Sequence, residues 1–186
     1  MPINTGVITA SRTADSDECY TPHYAVEPLL EFIPKGKTIW CPFDLEWSAF
    51  VQTFKAGEGY DLVRSHISEG QNFFNYEPEH WDVMISNPPF SKKDEVLQRA
   101  FDLGKPFALL LPANSIQGKK RFQIFQNEIQ MLCFDSRIDF HTTSMQTTTK
   151  GTPFASAYFC RNFLPSKLEL RELHKYEKPL IERESI

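Results

Sequence analysis

The sequence is poor in cysteine and glycine and carries no excess of positive charge. Its four cysteines (Cys19, Cys41, Cys133, Cys160) form no C-x-x-C pair. A disulfide framework and a cysteine zinc cluster are therefore unsupported, and reduced thiols in a cytosol-like compartment are expected. The five histidines are scattered, and no His/Asp/Glu spacing points to a metal. No nucleophile-elbow pattern is present. A formal net charge of −4 excludes a generally basic nucleic-acid coat but not a local basic patch. No apolar run approaches the ~18 residues of a membrane span. The opening Met-Pro-Ile-Asn-Thr lacks a positive region followed by an apolar run, so no secretory signal is expected. Against these absences stand sixteen Phe and three Trp among 186 residues, ample material for one core. The length suits one domain, or one domain with an arm.

Residues 1–18 are small and polar and read as an N-terminal arm. Thr21-Pro22 is a helix start, with Thr21 as N-cap, and Pro28 is expected to kink or split that helix. Strands are expected over 38–43, 60–67, 81–86, 106–111, 130–140 and 154–160. Helices are expected over 48–55, 94–103 and 121–129. The charged tail, 166–186, reads as helical. Strands alternating with helices of about ten residues predict an α/β fold with a mostly parallel sheet, joined by right-handed crossovers. The last two strands have no helix between them and are expected to form an antiparallel hairpin at one end.

The informative residues are Asn87-Pro88-Pro89-Phe90, directly after the strand Asp82-Val83-Met84-Ile85-Ser86. In open α/β sheets the crevice at the carboxyl ends of the strands is where ligands bind. Two prolines fix two φ angles and remove two N–H donors. Asn87 adds a side-chain acceptor and Phe90 a flat apolar face. This set suits activation of an exocyclic amine on a planar ring. The Asn87 oxygen and the Pro88 carbonyl would hold the two amine hydrogens and free a lone pair otherwise delocalised into the ring. Phe90 would stack on that ring. The chemistry is orientation and electrostatics and needs no strong base. Composition gives about 0.004 chance occurrences of such a tetrapeptide, so the motif is specific. The competing reading is a Pro-Pro turn with Phe90 as a core plug.

Asn87–Phe90 after a hydrophobic strand resembles the catalytic motif of S-adenosylmethionine-dependent amino methyltransferases, chiefly the DNA N6-adenine methyltransferases. Tyr20-Thr21-Pro22 resembles the element that supports the methionine end of the cofactor in that family. The run Ser65-His66-Ile67 to Gly70-Gln71-Asn72-Phe73-Phe74 is similar to compact phage-type members. The resemblance covers roughly residues 17–160 and implies a Rossmann-like methyltransferase domain over 19–165, acting on nucleic acid in a bacterial or phage-infected cytosol. Where the family has a Gly-rich turn, this chain reads Cys41-Pro42-Phe43-Asp44-Leu45-Glu46-Trp47-Ser48, which keeps Pro42-Phe43 and lacks the glycines. A loop without glycine cannot approach a ligand as closely. Cys41, Pro42, Asp44 and Ser48 are then the expected cofactor residues there. His66 stands where the family has a ribose-binding acid and would hydrogen-bond the ribose; it reads equally as a partly buried histidine. Asn72 would read the cofactor adenine and Phe73 stack on it, or Phe73 and Phe74 are core.

The resemblance implies a target-recognition domain, and the chain has no room for one. Lys119, Lys120 and Arg121 form its densest basic cluster; with Lys92 and Lys93 they are the candidate phosphate contacts. A solvated surface run is the alternative. Lys150, in the Thr-rich loop 141–153, is a further candidate. Expected is methyl transfer from S-adenosylmethionine to adenine N6 in DNA, with short or no sequence specificity, no metal and no membrane. A non-catalytic or RNA-directed member of the methyltransferase fold that binds nucleic acid or a partner protein is the alternative.

Overall fold

The most apolar segment of the chain lies at the centre of the sheet. Strand β4 (Phe107–Pro112) is buried along its whole length, as a continuous apolar run covered on both faces requires. Parallel β3 (Val83–Ser86) flanks it on one side and antiparallel β6 (Ser156–Arg161) on the other. With β1 (Lys37–Cys41), β2 (Tyr60–Arg64), β5 (Gln130–Phe134) and β7 (Leu168–Arg171), they make a seven-stranded sheet in the order β2-β1-β3-β4-β6-β5-β7. Only β6 runs against the others. This is the α/β, Rossmann-like arrangement expected, including the antiparallel pair near the C-terminus. The computed structural model describes residues 19–141 and 152–180. The arm 1–18, Lys150 and most of its loop lie outside the described residues.

Helices cover both faces. Helices α1 (His23–Val26) and α2 (Ala49–Ala56) pack on one side, with Ala108 and Leu110 of β4 beneath them. Helices α3 (Lys93–Asp102) and α4 (Lys119–Phe125) pack on the other, over Phe107, Leu109 and Leu111. The alternation of β4 side chains between two cores is the period-two geometry of a strand. Among the described residues no helix is long and apolar enough to cross a membrane.

Three local expectations change. The first helix stops at Val26 and continues as a 3₁₀ turn over Glu27–Phe32, as Pro28 dictates. Its N-cap is Pro22 rather than Thr21, and no side chain caps it. Helix α4 begins two residues early and ends at Phe125, where Gln126 and Asn127 take left-handed backbone. The charged segment after Pro165 supplies edge strand β7, paired in parallel with β5, instead of a helix. Its pattern is inverted: Leu168 and Leu170 face outward, while Arg171 lies over the Phe32 ring and pairs with Glu31.

Candidate active site

The strand order reverses beside β1. The chain leaves β1 for β2 on one side and returns to β3 on the other. Loops leaving neighbouring strands in opposite directions open a crevice at their carboxyl ends. A cavity of about 690 Å³ lies there. Its walls come from the loops after β1 (42–48), β2 (66–68) and β3 (87–89), from 72–74, and from 19–21.

Asn87 leaves β3 directly behind buried Ser86. Its Nδ2 donates to the Cys19 carbonyl at 2.7 Å, tying the motif to the segment before α1. Its Oδ1 is buried and accepts no hydrogen bond among the described residues. An acceptor shielded from water and left unpaired carries a free-energy cost, and such a group calls for a ligand or functional reason. Pro88 and Pro89 line the cavity beside it. Pro89 opens a 3₁₀ turn over Phe90–Lys92. That turn swings Phe90 inward: the ring is 3% exposed, stands edge-on to Phe154 at 5.7 Å, and does not line the cavity.

Segment 19–21 is positioned from both sides. Tyr20 exchanges backbone hydrogen bonds with His141 at 3.0 and 2.8 Å, and its ring meets Trp47 edge-on at 4.9 Å. Thr21 lines the cavity, and its buried Oγ1 has no partner among the described residues. Pro22 caps α1 without lining the cavity.

The loop after β1 replaces glycines with bulk. Cys41 is wholly buried at the end of β1, and burial pushes its thiol well above the ordinary range. Pro42, Phe43, Asp44, Leu45, Trp47 and Ser48 reach the cavity. Ser48 caps α2, its Oγ accepting from the Val51 amide at 3.2 Å. Asp44, 6% exposed, accepts from the Ser86 hydroxyl. Burial raises its pKa to about 6, against the opposing pull of the hydrogen bonds from Ser86 and Ser48. It is a buried acid on the cavity wall and ties the loop after β1 to Ser86, the last residue of the parallel neighbour β3.

His66 lines the wall after β2. The Ser68 amide donates to Nδ1 at 3.2 Å, and the Ser68 hydroxyl lies 2.6 Å from the same atom. A ring nitrogen that accepts from an amide carries no proton, so the neutral ring bears its hydrogen on Nε2. Desolvation lowers the His66 pKa, outweighing the attraction of Glu69. His66 thus offers a donor where the resembled family offers an acceptor. Asn72 also lines the cavity, its Oδ1 accepting from the Phe74 amide at 3.1 Å. Phe73 is 2% exposed, packed between Trp40 and Phe43 with the Arg99 guanidinium over its ring. Phe74 is the exposed ring of the pair.

The basic candidates divide. Lys92 is exposed on the cavity rim. Lys93 donates to the Phe90 carbonyl at 3.3 Å. Lys119 is exposed, and Lys120 turns toward a separate groove between α3 and α4. Arg121 is a brace: it donates to the Ser115 carbonyl at 2.7 Å and pairs with Asp94 at 2.6 Å. Gly118 beside it has φ +142°, and a Cβ there would sit 2.7 Å from the Arg121 guanidinium. Gly118→Ala is expected to cost about 1–3 kcal/mol, read as a lower thermal midpoint; an unchanged midpoint would show the brace to be dispensable.

Cavity residues not singled out from sequence include Ile67, Phe74, Trp47 and Leu180. Leu180 is 3% exposed and its carbonyl accepts from Gln52 at 3.2 Å. Nothing in the charged tail marks it. The second phenyl of Phe73-Phe74 was visible as an aromatic neighbour of a candidate.

No protein-family model matches the chain, and no curated protein matches it. Among solved structures, it is similar to the methyltransferase subunit of a type I restriction-modification system from Streptococcus thermophilus. Identity is 13%, with 83% of this chain and 47% of that one covered and a TM-score of 0.45. It thus spans about half the length of that subunit. It is also similar to a predicted O-methyltransferase from Agrobacterium tumefaciens (10% identity, 80% and 84% covered, TM-score 0.43). A third is TrmN from Thermus thermophilus (12% identity, 73% and 47% covered, TM-score 0.39).

Proposed function

We propose that the chain transfers a methyl group from S-adenosylmethionine to the exocyclic N6 of adenine in DNA. The observation that carries the reading is Asn87: one end of its amide is tied to the Cys19 carbonyl, and the other is a buried acceptor with no partner among the described residues, on the wall of a switch-point cavity. The fixed amide cannot rotate to relieve its oxygen, so the acceptor is held ready for an incoming N–H.

The cavity suits a nucleoside sulfonium in size and in lining. The apolar Phe74 and Ile67 would flank an adenine, with Asn72 at its edge. His66 Nε2–H would donate to a ribose hydroxyl. Asp44, Tyr20 and Thr21 would hold the charged methionine end, Asp44 through its carboxylate and Thr21 through its unpaired hydroxyl. When bound, S-adenosylmethionine supplies an electrophilic methyl on sulfur. Asn87 Oδ1 and the Pro88 carbonyl then accept the two hydrogens of the target amine and turn its lone pair out of the ring plane. Pro89 fixes the turn. Phe90, packed against Phe154, supports that turn from beneath. Lys92 and Lys119 would meet phosphates.

The test is incubation with methyl-labelled cofactor and separate DNA, RNA and protein pools. Label in DNA is expected. Label only in RNA or protein would overturn the substrate, and no calorimetric binding of S-adenosylmethionine at millimolar concentration would favour a non-catalytic binder.

A further inference from the structure

A phenyl ring stands in solvent on α4. Phe122, on α4, is 74% exposed, and Ile116, in the turn leading to α4, is 39% exposed. The helix needs neither for its own packing, because Ile124 and Phe125 bury its inner face, Phe125 against Phe101 and Phe159. Lys119 lies one turn before Phe122 on the same helix face.

Topology puts this ring at the active end of the sheet. Strands β3 and β4 are parallel neighbours, with Ser86 opposite Leu109, so the segment after β4 emerges at the same edge as Asn87. Arg121, next to Phe122, is bolted to the Ser115 carbonyl and to Asp94, four residues past Phe90. The ring is therefore presented on a braced support joined to the motif. Asp94 is occupied by Arg121, and the exposed groups nearby are Lys92, Lys119 and the carboxylate of Glu95.

An aromatic on a braced helix, with Lys119 one turn away on the same face, fits one kind of partner: a polyanion that carries flat apolar faces. We infer that Phe122 is a base-stacking residue of the nucleic-acid surface, entering the base stack next to the nucleotide presented to Asn87, with Ile116 at its side and Lys119 on the backbone. The inference rests on the proposed nucleic-acid substrate and adds a contact outside the cavity. Taking a base out of a duplex leaves a gap, and a ring in that gap offsets part of the lost stacking.

Binding to a short mixed-sequence duplex, followed by fluorescence anisotropy, tests it. Phe122→Ser is expected to fold like the parent and to bind about tenfold more weakly, with S-adenosylmethionine affinity unchanged. Phe122→Trp is expected to keep the affinity, with its added emission quenched by DNA. Lys119→Glu should lower the slope of log affinity against log salt by about one. Equal binding by Phe122→Ser and the parent, with Phe122→Trp emission unmoved, would overturn the assignment. So would self-association of the parent that Phe122→Ser abolishes while DNA affinity holds, since the ring would then belong to a second copy. No readout requires methyl transfer: Phe122-dependent DNA binding without transfer would overturn the reaction and support the stacking surface.

Discussion

Asn87→Ala is expected to lower methyl transfer by about 10²–10³-fold, the usual consequence of removing one preorganised hydrogen-bonding group from a reacting centre. Among the described residues only the Nδ2 bond to the Cys19 carbonyl is lost from the fold, because Oδ1 has no partner there to lose. The expected stability change is about 1 kcal/mol, so far-UV dichroism and the melting profile should resemble the parent's. Cofactor affinity should also hold. A variant that transfers at the parental rate would show that the amide is only a structural tie.

Asp44→Asn should separate stability from function. The Asp44 pKa is raised to about 6 because burial disfavours the carboxylate. A group raised in the fold contributes stability at low pH, where it is neutral in both states, and that contribution disappears as pH rises through about 6. Holding the charge costs on the order of 3 kcal/mol. The neutral amide keeps an acceptor for the Ser86 hydroxyl and carries no such cost. The melting midpoint of Asp44→Asn should therefore exceed the parent's by about 8 °C at pH 8, and the gap should narrow as pH falls through about 6 and close only below the unfolded value of 3.8. S-adenosylmethionine affinity should fall at least tenfold at pH 8, because in the proposed complex the carboxylate would meet the cationic end. A variant less stable than the parent at pH 8 would mean that the Ser86–Asp44 bond matters more than the buried charge.

The sheet was legible because its central strands are simple. Phe107–Leu111 is continuously apolar, and Val83–Ser86 is short, apolar and followed by two prolines. The position of the candidate site is read from the same residues, since a motif directly after a parallel strand has one end of the sheet to occupy. What was not legible depends on contacts distant in sequence. Strand β7 reads as a charged helix because its leucines face outward and Arg171 folds back on Phe32 and Glu31. Phe90 looks like a ligand-facing ring in sequence; only the 3₁₀ turn after Pro89 shows that it points inward. Arg121 counts as one more cation in a basic run until Asp94 and the Ser115 carbonyl are placed beside it. Leu180 reaches the cavity through a carbonyl held by Gln52, 128 residues away.

The most direct test of the central claim is mass spectrometry of nucleosides from DNA incubated with the protein and methyl-labelled S-adenosylmethionine, with Asn87→Ala run alongside. Labelled N6-methyl-deoxyadenosine from the parent, nearly absent from the variant, is the predicted result. Label on another base, or equal label from both proteins, would contradict it.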